Sequence, residues 1–178
     1  MKNRLTGEYL LVYVFCMAVV TGPAIAQLFN LDLTHFPDCN TYIGLSHLEF
    51  KQNPVRAYRV IIPFIAGGLN YLFGGLFGKL APVYFTGDFS LFFSFLLVNT
   101  ALTSFFGLLI YRYCRAFGAG RLASLIGIMT MLTCRYTIYM AAYPLVDSLF
   151  CVVVALTLTG LKLRNTAMLV CGIFLGPF

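Results

Sequence analysis

The sequence predicts an all-α, polytopic integral membrane protein, and three observations carry that prediction. Hydrophobic residues make up 60% of the chain and charged residues only 10%, against roughly 25% charged in a soluble domain. Apolar runs that approach or exceed the ~20 residues needed to cross a bilayer recur along the sequence. The basic residues sit between those runs, as loop charges that set orientation do. The net charge of +6 is therefore no sign of a nucleic-acid partner.

The first element begins with Lys2 and Arg4 and runs on through Tyr9–Val20 to Phe29. Ala24-Ile25-Ala26 before Gln27 also reads as a signal-peptidase site. Because the apolar stretch continues through Leu28 and Phe29, an uncleaved first span is expected. Residues 30–63 then form the only long interval of mixed charge, with Asp32, His35, Asp38, His47 and Glu49 followed by Lys51, Arg56 and Arg59. Within it, Tyr42, Leu45 and Leu48 recur at helical spacing, which predicts a short helix over 40–50 lying on the membrane surface. Asp38 is placed to cap that helix, and Asn53-Pro54 ends it.

Residues 58–80 are long enough to span, but the loop charges argue otherwise. With crossings near 9–29, 88–111, 120–141, 146–161 and 166–178, the cytoplasmic side holds Lys2, Arg4, Arg112, Arg115, Arg121, Lys162 and Arg164, with Glu8 the one acid. Asp32, Asp38, Glu49, Asp88 and Asp147 then lie outside. A crossing by 58–80 would move the Arg112/Arg115/Arg121 cluster outside, against the positive-inside rule. Pro63 and Gly67, Gly68, Gly74, Gly75 and Gly78 suit a bent or re-entrant element covered by protein. About five transmembrane helices are therefore expected, with surface and juxtamembrane helices in an extracytoplasmic loop over 30–87 and a cytoplasmic N-terminus. The whole chain reads as a single transmembrane domain, residues 1–178, with no repeat or linker.

Inside the spans, Asn99 at mid-depth is expected to donate an interhelical hydrogen bond. Tyr136, Tyr139 and Tyr143 read as an aromatic belt at the outer interface. Asp147 opens the next helix, either as a helix-start carboxylate paired with Arg135 or as a second polar wall of an outer cavity. The six cysteines show no zinc-ribbon spacing and read as buried small apolar residues. Asp32, His35 and Asp38 offer metal-ligand atoms at three-residue spacing, but Pro37 argues against a regular helix and no fourth ligand is evident. No metal or other cofactor is expected.

The order of these features resembles the integral membrane glycosyltransferases of the GT-C fold, which use polyprenyl-phosphate sugar donors. The matching residues are Asp38-x-x-x-Tyr42, Tyr58-Arg59-x-x-x-Pro63, Tyr111-Arg112-Tyr113-Cys114-Arg115 and Tyr139-x-x-x-Tyr143-Pro144-Leu145-Val146-Asp147. They cover most of residues 8–165. Asp38 is followed by Cys39, where the family carries an adjoining acidic residue. Family members are considerably longer, so the resemblance implies the amino-terminal part of a larger module. It further implies inverting transfer of a sugar to an extracytoplasmic acceptor, with Asp38 as general base. Arg59, Arg56, Tyr42, Tyr58, Asp147 and Arg135 would bind the donor and acceptor, arginine suiting the phosphate through bidentate bonds. Two other classes stay open, a noncatalytic membrane scaffold or lipid-binding subunit and a small transporter component. The ionisable groups lie at interfaces and not deep in the spans, which counts against a transporter.

Overall fold

The computed structural model describes residues 2–30, 38–49, 59–83, 85 and 87–175, with side chains from residue 7 onward. Its regular elements are all helical: α1 (Lys2–Phe29), α2 (Asp38–Ser46), α3 (Ile61–Phe77), α4 (Phe89–Ala116), α5 (Arg121–Leu132), α6 (Arg135–Ala142), α7 (Asp147–Leu163) and α8 (Thr166–Leu175). Among the described residues three segments are long and apolar enough to cross a membrane, Gly7–Phe29, Ile61–Leu80 and Phe89–Ala116. The α5–α6 pair adds a fourth if its 66° bend is one broken span. Five spans are therefore more than length and composition support, since α7 has 17 residues and α8 only 10.

The core forms around α4, an apolar helix that carries a partner-seeking polar stripe. Ser94, Asn99, Thr100, Thr103 and Ser104 are all buried. Bare hydroxyls in such a place are costly, and α4 spends most of them on its own backbone. Ser94, Thr100 and Ser104 donate to the carbonyls of Ser90, Leu96 and Thr100 at 2.9, 2.7 and 2.7 Å. The helix starts sharply because Asp88 accepts from the Leu91 N–H at 3.1 Å, an N-cap.

Against α4 lies α1, whose buried stripe is Val12, Cys16, Val20, Ala24 and Leu28, one residue every four. These are mostly small side chains, which lets the two backbones approach. At Gly107 of α4 an added Cβ would come within 2.9 Å of Cys16 Sγ. The pair is antiparallel: Phe29 stacks on Phe89 at one end (6.3 Å between ring centroids), and Tyr111 bonds Glu8 at the other. α7 runs parallel to α4, with Ser148 donating to Asn99 and Thr159 to the Leu109 carbonyl. The connection from α1 to α4, α2 and α3 included, thus leaves and returns at one end of the bundle. α3 packs there through Ile62 and Ala66 and through Phe77 against Phe93 (5.1 Å), while Tyr71, Leu72 and Leu76 stay exposed.

Two local expectations need correction. The surface helix starts at Asp38 itself and ends at Ser46, with Leu48 beyond it at a positive φ of 64° and exposed. Its Tyr42 and Leu45 are 1% and 0% exposed, so α2 is a packed element of the protein and not a helix lying on lipid. The proposed tyrosine belt is also divided. Tyr136 is exposed, but Tyr143 is buried and accepts from Gln27 Nε2 at 3.1 Å.

Candidate functional site

Tyr42 of α2 and Arg59 ahead of α3 are in contact, and the charges of Asp38 and Arg59 reach Asp147 at the start of α7. α2 is held down by its apolar face, Cys39, Tyr42 and Leu45, and by contact with α3 at Gly67. A Cβ on Gly67 would sit 2.5 Å from the Ser46 carbonyl oxygen, so only glycine allows this approach. Tyr42 points its ring inward and its hydroxyl toward the exposed Arg59, whose Nη1 donates to it across a long 3.5 Å. Asp147 is the first residue of α7, and the charges of Arg59 and Asp38 both act on its carboxyl.

The α7 terminus is fixed by Asn99, which is 0% exposed. Its Nδ2 donates to the carbonyls of Tyr143 and Leu145 at 2.9 and 3.0 Å, and its Oδ1 accepts from Ser148 Oγ at 2.6 Å. The expected interhelical donor is thus present, and it does a particular job. It ties the Tyr143-Pro144-Leu145 break to α4 and so sets where Asp147 stands. Since Asn99, Ser148 and both carbonyls satisfy one another, the network leaves little freedom for the start of α7.

Electrostatics in this corner follow from burial beside unlike and like charges. Burial, then the Asp38 and Asp147 carboxylates, push the Cys39 thiol up to about 12. Burial also raises the Tyr42 hydroxyl, opposed by its bond to Arg59. Asp147 acts on Tyr136 as well. Charge coupling thus links two carboxylates, Asp38 and Asp147, with the exposed Arg59 and the buried Tyr42.

Not every candidate arrives there. Arg135 turns to its own helix, donating from Nε to Tyr139 Oη at 2.5 Å with its guanidinium over that ring. Arg135 is thus engaged with Tyr139, while the charges of Arg59 and Asp38 act on Asp147. Tyr58 and Arg56 lie outside the described residues, as do Asp32 and His35 of the metal-ligand triplet. Among the described residues no group of three or more His, Cys, Asp or Glu side chains could hold a metal ion. Sequence reasoning missed Cys39, buried beside Asp38 and Tyr42 in α2. Adjacency to Asp38 was the one available signal for Cys39. Comparison with protein-family models, with curated proteins and with solved structures finds no match.

Proposed function

We propose that this chain is a membrane-embedded glycosyltransferase, or the amino-terminal part of one, that uses a polyprenyl-phosphate sugar donor. The observation that supports this reading is the contact of Tyr42 with Arg59, together with the reach of the Asp38 and Arg59 charges to Asp147 from separate segments of the chain. Sugar transfer needs a proton acceptor, a cation for the leaving phosphate and an apolar path for the lipid tail. Asp38 serves as the base for the acceptor hydroxyl. Arg59, exposed at the lip, holds the donor phosphate through its planar fork. The exposed apolar side of α3, with Tyr71, Leu72 and Leu76, runs from this corner and receives the tail. Asp147 forms the second polar wall.

In the reaction the acceptor oxygen attacks the anomeric carbon as its proton passes to the Asp38 carboxylate. The anomeric C–O bond breaks, and its electron pair leaves on the polyprenyl phosphate with inversion. The same reading places the N-terminus in the cytoplasm and the 30–87 connection outside, with α3 re-entrant or juxtamembrane. Support comes from the α1–α4 pairing, because a helix crossing once would separate the ends that Phe29 and Phe89 bring together.

The test is transfer from a radiolabelled polyprenyl-phosphate sugar by the intact gene product in proteoliposomes. Asp38→Asn keeps the size and shape of the side chain and is expected to lower turnover by about 10²-fold or more. Arg59→Lys should weaken donor binding, and Arg59→Ala should weaken it further. Wild-type turnover in Asp38→Asn would remove the base assignment. Donor binding without transfer by the wild-type protein would leave a lipid-binding scaffold.

A further inference from the structure

The opposite end of the bundle carries a second polar group of residues that the proposed transfer reaction does not use. Between the start of α1, the end of α4 and the start of α5 lies a groove of about 630 Å³, within the ~300–1,000 Å³ typical of small-molecule sites. Its walls are Leu11, Val12, Phe15 and Leu125, and its end is closed by Glu8, Tyr111 and Arg121. Gly7 leaves one side open, since a Cβ there would meet nothing within 4 Å.

The charges at the rim do not cancel. Glu8 accepts from Tyr111 at 2.6 Å and pairs with Arg121 at 3.0 Å, so one carboxylate answers one guanidinium. Arg115 also acts on Glu8 but bonds only a carbonyl, that of Ala119 at 2.6 Å. Arg112 lies over the Tyr9 ring, 5.1 Å from its centroid, and its buried Nε has no hydrogen-bond partner among the described residues. Neither Arg112 nor Arg115 lines the groove, but Arg115 acts on its Glu8, so among the described residues the end of the slot holds one carboxylate against the positive charges of Arg121 and Arg115. The slot also opens along a helix that meets the length and composition of a membrane span.

We propose that this groove is a binding site for an anionic phospholipid, one acyl chain lying against Leu11, Phe15 and Leu125 and the phosphate facing Arg121 and Arg115. An apolar channel ending in unbalanced positive charge matches an amphiphile with a negative head. A zwitterionic lipid would bring its own cation to the same rim and lose the advantage. Basic pockets between membrane helices recognise anionic head groups on these terms.

The chain contains no tryptophan, so one introduced indole reports without background. Leu11 is 71% exposed on the groove wall, and Leu11→Trp places that reporter with little change in packing. The protein is reconstituted in phosphatidylcholine vesicles, and quenching by brominated phosphatidylglycerol is compared with quenching by brominated phosphatidylcholine at matched mole fraction. The expected result is preferential binding of phosphatidylglycerol by about fivefold or more, the worth of one arginine near an anionic head group. Arg115→Gln, which alters an exposed side chain, should lower that preference by about fivefold. Gly7→Phe should fill the groove and reduce quenching by both lipids. A second reporter at Phe150→Trp, exposed on α7 near the other end, should show no preference. Equal quenching by the two lipids at Leu11→Trp would overturn the proposal, and so would a preference that survives Arg115→Gln and appears equally at Phe150→Trp.

Discussion

Gly67 offers the sharpest test of how the candidate corner is built. Replacing it with alanine adds one methyl group 2.5 Å from the Ser46 carbonyl oxygen, 3.3 Å from the Ser46 carbonyl carbon and 3.4 Å from its Cα. All three are backbone atoms, so no rotamer change relieves the collision and α2 must move away from α3. Overpacking of this kind costs about 1–3 kcal/mol. Alanine also gains about 0.8–1 kcal/mol of helix propensity over glycine, which would mask part of the loss. Gly68→Ala removes that ambiguity. It makes the same propensity gain one residue along α3, and its Cβ meets nothing within 4 Å. The difference between the two variants therefore isolates the contact, and Gly67→Ala should be the less stable by about 1–3 kcal/mol. Reversible SDS titration of the purified protein, followed by circular dichroism, measures it. A second readout follows from the displacement of α2. Tyr42 and Asp38 move with it, so donor binding should fall in Gly67→Ala and stay unchanged in Gly68→Ala. Equal stability of the two variants would falsify the close α2–α3 approach, and with it the account of why Tyr42 meets Arg59.

Three further outcomes are expected. Asn99→Leu removes three buried hydrogen bonds and should cost about 1–3 kcal/mol in the same titration; a loss under about 0.3 kcal/mol would show that α7 is held by packing alone. Cys39, fully buried with its thiol pushed up to about 12, holds only about 10⁻⁴ of its sulfur as thiolate at pH 8. It should resist maleimide in the folded protein while exposed Cys134 reacts, as peptide mass mapping will show, and rapid labelling of Cys39 would contradict its burial. In a background without native cysteines, His47→Cys and Ala119→Cys should label from opposite sides of the membrane, His47→Cys from the outside, and labelling of both from one side would sink the proposed topology.

The parts of this fold that were legible in the sequence are those fixed by the bilayer or by a single residue's chemistry. α1 and α4 are long apolar runs, and Asn99 stood out because an amide in such a run has to find partners. It finds them in the backbone around Pro144, the punctuation that was also visible. The α5–α6 bend was not foreseen, since Thr133 and Cys134 carry neither glycine nor proline to announce it. The direction of α2 was ambiguous for a plain reason. An apolar stripe at Tyr42 and Leu45 looks the same whether it meets lipid or other helices. The sequence leaves Asp147 either paired with Arg135 or walling a cavity, and Tyr139, one turn along the same helix, takes the Arg135 guanidinium. Asp38 and Arg59 stand out by resemblance, while the reach of their charges to Asp147 depends on tertiary packing that no local pattern encodes.

The Asn99 network also sets an order of events during synthesis. Its acceptors in Tyr143 and Leu145 are 44 and 46 residues downstream, and the Ser148 hydroxyl is 49 residues downstream. At ~5–20 residues per second, α4 waits about 2–10 s after Asn99 is made before those groups exist. Throughout that interval the amide's final partners are missing, although α1 is already available to cover part of the helix. The hub of the bundle is thus completed last from its own C-terminal neighbours, and the nascent α4 needs the insertion machinery, water or transient bonds to shelter one side chain until α7 is made.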